Sequence, residues 1–97
     1  MLQHLKDKLA ITWDDEDTNR RLNNILNSAK TTLKYKLGLP NGFTWSDDTM
    51  EGNLLLNYCF YEWNDAIDEF DNNYANDILQ IRMKYEVASY DQEETQV

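Results

Sequence analysis

Apolar residues recur at intervals of three and four along most of the chain, the spacing that gathers them on one face of an α-helix. The longest such stripe consists of Leu22, Ile25, Leu26, Ala29, Leu33 and Leu37. Asp14 or Asp15 can cap its start, while Gly38 and Pro40 after it are residue types that end helices. The pattern therefore predicts a long amphipathic helix that stops at Gly38.

Three more helices are predicted around this one. A short first helix, ending near Ala10, is indicated by Leu2, Leu5 and Leu9. A third helix is expected over roughly residues 48 to 68, with Ser46 as its cap. A fourth, from roughly residue 74 to 86, is indicated by the stripe Tyr74, Ile78, Ile81 and Tyr85.

After Val87 the chain loses this periodicity and becomes polar and acidic. Such a segment contributes too little apolar surface to pack by itself. We therefore expect a helical domain of residues 1–87 and an acidic C-terminal tail or arm of residues 88–97. The predicted fold class is all-α, a small bundle of about four helices, with one short N-terminal helix, two long helices and one C-terminal helix before the arm.

The predicted third helix is apolar around most of its circumference. A chain of this length has little other material with which to cover such a helix, so part of it is expected to face another subunit. The alternative is a central core helix in a compact monomer. The candidate subunit-interface residues are Leu54, Leu55, Tyr58, Tyr61, Trp63 and Ile67.

The chain is strongly acidic, with 18 Asp and Glu against 9 Lys and Arg and a formal net charge of -9. Its field repels phosphate, and duplex binding depends on cations that displace counterions. The composition therefore argues against binding to the outside of nucleic acid. The N-terminus lacks the pattern of an export signal, and no window approaches the roughly 18 apolar residues of a membrane span, so a soluble protein without a membrane partner is expected.

Residue types that carry chemistry are sparse and scattered. Cys59 is the single cysteine, which excludes an intrachain disulfide and favours a reducing compartment. Within the acidic run 14–17, Asp15, Asp17 and Asn19 alternate as the ligands of a calcium loop do. Counted from Asp15, however, Arg20 stands at the glycine position and Leu26 at the final glutamate position. His4 is the single histidine, and no second His or Cys lies near it to complete a zinc site or a nucleophilic pair. We expect no enzyme activity, no cofactor and no metal site.

Three stretches of the chain resemble the head-tail connector (adaptor) proteins of long-tailed bacteriophages. The first runs from Leu5 through the acids at 14–17 to Gly38. The second runs from Leu54 to Tyr74 and includes Tyr61-Glu62-Trp63-Asn64. The third is the closing helix, from Ile78 to Tyr85.

The resemblance implies a structural virion protein, made in the host bacterial cytoplasm and located at the neck between head and tail. It would form a homo-oligomeric ring of about twelve subunits, closed by head-to-tail contacts, through which DNA passes. Its partners would be the portal protein and a head-tail stopper or tail-completion protein. The C-terminal arm is the expected portal-binding element, with Tyr85, Val87 and Tyr90 as candidate contacts.

Two other interpretations stay open. An acidic DNA-mimic inhibitor would place its carboxylates where phosphates lie on a duplex, although many acids here stand at helix starts, where they favour the helix dipole. A small helical regulator would instead dimerise through the third helix. The particle mass separates a dimer from a large ring.

Overall fold

The structure, a computed structural model, describes the backbone of residues 1–95 and the side chains of residues 1–88. Within this part the chain forms α1 (Leu2–Lys8), α2 (Glu16–Leu37), α3 (Met50–Trp63), α4 (Phe70–Asn73) and α5 (Ala75–Thr95), with a 3₁₀ turn at Ile67–Glu69. Helix makes up 73% of the chain, and residues 1–95 contain no strand. The predicted all-α class is confirmed.

The long helix α2 forms from the signals seen in the sequence. The carboxylate of Asp15 accepts a hydrogen bond from the Thr18 N–H at 3.1 Å, which caps the first turn. Gly38 ends the helix in the left-handed conformation, with φ of 66°. The Leu39 N–H then donates to the Lys34 carbonyl at 3.0 Å. The stripe is buried as predicted, through Leu22, Leu26, Ala29, Leu33 and Leu37.

The first turn of α3 is capped by Thr49, so the predicted Ser46 cap is wrong. Thr49 Oγ1 accepts from the Gly52 N–H at 3.0 Å and donates to the Ser46 carbonyl at 2.7 Å. Ser46 thus contributes its main chain rather than its hydroxyl to this turn. Gly52 permits the close approach, because a Cβ at that position would collide with the Ser46 carbonyl oxygen.

Helix α3 ends at Trp63, before the predicted boundary near residue 68. Asp65 adopts a positive φ of 55°, and the Ala66 N–H donates to the Tyr61 carbonyl at 2.8 Å. Asn and Asp tolerate the left-handed conformation better than other non-glycine residues. An Asn64-Asp65 pair therefore terminates this helix in the way that Gly38 terminates α2.

The segment after this stop folds back over α3. Phe70, the first residue of α4, is fully buried, and its ring centroid lies 4.9 Å from that of Tyr58 and 5.8 Å from that of Tyr61. Leu54 and Leu55 are themselves buried in the chain's own core. The prediction that α3 needs another subunit to cover it is therefore wrong for Leu54 and Leu55, which the chain's own core buries, whereas Met50 and Phe60 of the same helix stay exposed.

Helix α5 is longer than its apolar stripe predicted. It runs from Ala75 to Thr95, whereas the sequence placed its end near residue 86. Residues 86–95 contain neither glycine nor proline and include helix-favouring Glu, Gln and Ala. The backbone consequently continues as helix across the predicted boundary between residues 87 and 88, and Gln96 and Val97 lie outside the described residues.

A candidate interaction surface on helix α5

Helix α5 is apolar on two opposite faces. The inner face packs on the core through Ile78, Ile81 and Tyr85. The outer face carries Leu79, Met83 and Val87, which are 55%, 54% and 58% exposed. Successive members are four residues apart, so they form one continuous line along the helix, here named the outer stripe. Helix α3 also keeps two large apolar residues exposed, Met50 at 51% and Phe60 at 38%, so the outer stripe of α5 is a further exposed apolar surface that the sequence analysis did not assign.

The remaining predicted interface residues, Tyr58, Tyr61, Trp63 and Ile67, are half-buried and packed against the core. The Tyr61 hydroxyl accepts a hydrogen bond from Asn73 Nδ2 at 2.9 Å. The Trp63 ring lies under the Arg21 guanidinium, 4.6 Å from the ring centroid. These contacts hold the C-terminal half of α3 against α2 and α4, so the aromatic residues there serve the fold of the single chain.

The three predicted arm residues have different surroundings. Tyr85 is half-buried, with its ring centroid 5.9 Å from that of Phe43, and it anchors α5 to the loop before α3. Val87 is exposed on the outer stripe. Tyr90 belongs to the backbone of α5, and its side chain lies outside the described residues. Of the described pair, Val87 is the residue accessible to a partner.

The buried carboxylate of Glu51 attaches α5 to the first turn of α3, at Lys84 and Tyr85. Glu51 is 4% exposed, and its Oε1 accepts hydrogen bonds from Lys84 Nζ at 2.8 Å and from the Tyr85 hydroxyl at 3.2 Å. Burial disfavours the charged form of Glu51, but the hydrogen bonds and the charge of Lys84 outweigh it and hold the pKa below its usual value. The hydrogen bond to Glu51 in turn raises the pKa of Lys84.

A groove lies between the C-terminal end of α2 and the first half of α5, here named the α2–α5 groove. Its lining residues are Lys36, Asp71, Ala75, Ile78, Leu79, Arg82 and Glu86. Lys36 Nζ bonds both carboxylate oxygens of Asp71 at 3.0 Å and closes one side. Leu79 belongs both to this groove and to the outer stripe, so the two form one continuous surface.

The sequence contains a signal for the outer stripe, namely the four-residue spacing of Leu79, Met83 and Val87. The residues Ile78, Ile81 and Tyr85 are sufficient to predict the helix, so the second stripe was not recognised as an exposed apolar surface. The groove has no comparable signal, because its residues come from three elements whose apposition is a property of the tertiary fold.

The other reactive side chains of the described residues are buried, paired or too far apart to form a site. Cys59 is buried in the core, and burial raises the pKa of its thiol to about 12. His4 Nε2 lies 3.4 Å from the Asp47 carboxylate near the surface. Within the described residues no group of three or more His, Cys, Asp or Glu side chains is placed to hold a metal ion. None of the helices there is long and apolar enough to span a bilayer.

Comparison with known proteins adds no relative to this description. No protein-family model, no curated protein and no solved structure matches the chain.

Proposed function

We propose that this chain is a structural subunit of a protein assembly, and that the assembly is the head-tail connector ring of a long-tailed bacteriophage. The observation that carries the first part is the outer stripe of α5, an apolar line on the solvent side of a helix whose other side is already packed. The second part rests on the resemblance of the sequence to the connector family.

Exposure of the outer stripe to water is costly. Leu79, Met83 and Val87 each keep more than half of their surface exposed, and burying that surface against a partner is worth about 1 kcal/mol for each side chain. Contiguous apolar lines of this kind mark interaction sites in soluble proteins. A role in assembly accounts for them better than a role as a free monomer.

The length of α5 supports the same proposal. Tyr85 is the last described side chain of α5 in contact with the core, and the helix continues to Thr95. Ten further residues correspond to roughly 15 Å of helix at 1.5 Å per residue. A helical extension of this length is a suitable element for gripping a neighbouring protein, and in the connector proposal that neighbour is the portal protein.

The charge of the chain is compatible with a DNA conduit. A net charge of -9 disfavours adhesion of a duplex, so DNA would pass through the lumen of an acidic ring without being retained. In this proposal the ring also contacts a stopper or tail-completion protein on the tail side, and the protein is located in the virion neck.

Particle mass, measured with and without a bacteriophage portal protein, tests the proposal. A connector ring contains about twelve subunits of 11.5 kDa, and electron microscopy would show it as an annulus. A stable dimer under all conditions would instead support the regulator interpretation. Binding to a nuclease or repressor, in competition with DNA and without portal binding, would support the mimic interpretation.

A matched pair of variants tests the part played by the outer stripe. Leu79→Glu/Met83→Glu places two charges four residues apart on the stripe and should abolish assembly while leaving the helical content intact. Asn23→Glu/Asn27→Glu places the same charges at the same spacing on an exposed face of α2 and should assemble normally. Equal behaviour of the two variants would contradict the assignment.

Truncation tests the extension separately. Deletion of residues 88–97 retains Tyr85 and its contacts with the core, so the folded body should persist. The truncated protein should lose attachment to the portal. Unaltered docking of the truncated protein on the portal would refute the role of the extension.

A further inference from the structure

Most basic side chains of the chain already have a partner. Of the nine Lys and Arg residues, four form ion pairs with carboxylates, namely Lys6, Arg20, Lys36 and Lys84. Two more lie over aromatic rings, namely Lys8 and Arg21. Among the side chains that the structure describes, neither a carboxylate within 4.0 Å nor an aromatic ring engages the remaining three, which are Lys30, Lys34 and Arg82.

Lys30 and Lys34 line the same cavity, here named the lysine pocket. They lie one turn apart on α2, and the loop after that helix supplies the rest of the lining. The cavity has a volume of about 170 Å³. Among the described residues its lining contains no Asp or Glu and consists of Lys30, Thr31, Lys34, Leu39, Pro40, Gly42, Phe43 and Trp45. The pocket is therefore a local concentration of positive charge in a chain whose net charge is -9.

The walls of the lysine pocket are held in place by contacts within the chain. Lys34 Nζ donates a hydrogen bond to Asn41 Oδ1 at 2.9 Å, which joins α2 to the loop. The Phe43 ring packs edge-on against the Trp45 ring, with the two centroids 5.1 Å apart. Both rings and both lysines are half-buried. A pocket that is formed before its ligand arrives lowers the entropic cost of binding.

The two lysines favour a carboxylate as the bound anion. Like charges one turn apart on a helix repel each other, and an anion placed against both of them removes that repulsion. Phosphate groups are commonly held by free backbone N–H groups at the N-terminus of a helix. Lys30 and Lys34 lie far from the N-terminus of α2, where the backbone N–H groups are bonded within the helix. Only the ammonium groups are left to bind an anion, and a carboxylate needs no more than these.

The size and the walls of the pocket favour a side chain of a docked protein. A volume of about 170 Å³ is below the roughly 300 to 1,000 Å³ of cavities that enclose a drug-sized ligand. The cavity therefore has room for one side chain rather than for a whole small molecule. Phe43 and Trp45 provide an aromatic wall for an apolar side chain. The negative field of the whole chain disfavours a polyanion such as nucleic acid.

We propose that the lysine pocket binds an acidic peptide segment of a partner protein. One apolar side chain of the segment enters the cavity against Phe43 and Trp45, and two carboxylates beside it pair with Lys30 and Lys34. On a helical segment such carboxylates stand three or four residues apart, which matches the spacing of the two lysines. The pocket contains no residue of the outer stripe, so the inference goes beyond the proposed function and does not depend on the ring.

Nuclear magnetic resonance of the isotope-labelled full-length chain tests the proposal. The probe is an alanine-based peptide of about 16 residues, long enough to be helical, with one leucine between two glutamates four residues apart. Titration to about 1 mM peptide should move the indole N–H resonance of Trp45 and leave those of Trp13 and Trp63, which lie outside the pocket. The same peptide with glutamine in place of glutamate should bind at least about tenfold more weakly.

Matched double variants locate the binding site. Lys30→Gln/Lys34→Gln removes both charges from the pocket and should weaken binding of the glutamate peptide at least about tenfold. Lys8→Gln/Arg20→Gln changes the net charge equally at exposed residues outside the pocket and should bind like the wild type. Lys30→Glu/Lys34→Glu should instead bind the peptide with lysine in place of glutamate. Such a reversal excludes misfolding as the cause of the loss, and circular dichroism confirms the helical content of each variant.

Loss of binding in the pocket variant, without loss in the control variant, supports the inference. Equal binding of the glutamate and glutamine peptides, equal binding by the wild type and Lys30→Gln/Lys34→Gln, or an unmoved Trp45 resonance overturns it. Tighter binding of inorganic phosphate than of the peptide overturns the carboxylate assignment. A Trp45 resonance that moves with protein concentration alone identifies a second copy as the occupant and overturns the partner assignment. None of these outcomes alters the proposed ring, which particle mass with portal tests separately.

Discussion

Lys84 Nζ lies 2.8 Å from Glu51 Oε1, and this ion pair joins the middle of α5 to the first turn of α3. Its two members differ in environment, since the Glu51 side chain is 5% exposed and the Lys84 side chain 62%. Removal of the lysine leaves the buried charge of Glu51 without a partner, whereas removal of the carboxylate leaves a lysine that water can solvate. The pair therefore fixes α5, and with it the outer stripe, through an asymmetric contact.

This asymmetry gives a first prediction. Lys84→Met should lower the free energy of unfolding by about 2 to 3 kcal/mol at pH 7, and Glu51→Gln by about 1 kcal/mol, because only the former leaves a buried anion without its cation. Urea denaturation followed by circular dichroism measures both. A larger loss for Glu51→Gln would show that the carboxylate is better solvated than its burial indicates.

The second prediction concerns the stability that Glu51 contributes at low pH. The pKa of Glu51 is lowered in the folded chain, so the unfolded chain binds its proton more tightly. Between the two pKa values a fall in pH therefore favours unfolding. The stability that Glu51 contributes is present above its unfolded pKa of about 4.5 and is lost as the pH falls through the lower folded pKa.

Comparison with Glu51→Gln isolates this effect from the other carboxylates. The difference in unfolding free energy between wild type and variant should be constant from pH 7 to about pH 5 and shrink progressively below the unfolded pKa. Denaturation midpoints across that range provide the measurement. A difference that stays constant down to pH 3 would contradict the assignment.

Gly52 provides a third prediction. On an ordinary helical site, Gly→Ala stabilises by about 1 kcal/mol. Here the added Cβ would strike the Ser46 carbonyl oxygen, a main-chain atom that cannot rotate away. Gly52→Ala should therefore destabilise by about 1 to 3 kcal/mol, whereas Asn53→Ala on the exposed side of the same turn should be neutral or stabilising. Thermal unfolding of the two variants is the test.

The parts of the fold that the sequence predicted well are those with local causes. Helix α2 has a continuous stripe, a capping Asp15 and a terminating Gly38, all within its own length. The cover of α3 has no such cause, because Phe70 lies in a stretch without periodicity and is brought onto Tyr58 only by the stop at Asp65. The sequence therefore overestimates the apolar surface that α3 exposes, which is limited to the large side chains of Met50 and Phe60, and it misses the exposed outer stripe of α5.

The candidate interaction surface likewise has a part with a local cause in the sequence and a part that depends on the tertiary fold. Spacing alone was sufficient to find the outer stripe, whereas the groove requires Lys36, Asp71 and Arg82 to be brought together from three helices. The composition predicts a negatively charged surface, but it does not predict that Arg82 lies exposed beside Leu79. Such pairings depend on how α5 crosses α2, which no local pattern encodes.

A last prediction concerns Phe70, whose ring covers part of the apolar surface of α3. It is fully buried, and its centroid lies 4.9 Å from those of both Tyr58 and Tyr74. Phe70→Ala should cost about 3 to 5 kcal/mol, a large share of the roughly 5 to 15 kcal/mol that stabilises a domain. The variant should melt at a much lower temperature and, by uncovering α3, bind a hydrophobic dye more strongly than the wild type does.

Phe60→Ala is the matched control, because Phe60 is a partly exposed phenylalanine of α3 itself. It should cost much less, since fewer contacts are lost and no buried cavity opens. Phe70→Leu, which keeps most of the volume, should lie between the two. If Phe70→Ala and Phe60→Ala were equally mild, α4 would not be the cover of α3, and the apolar surface available for assembly would again include that helix.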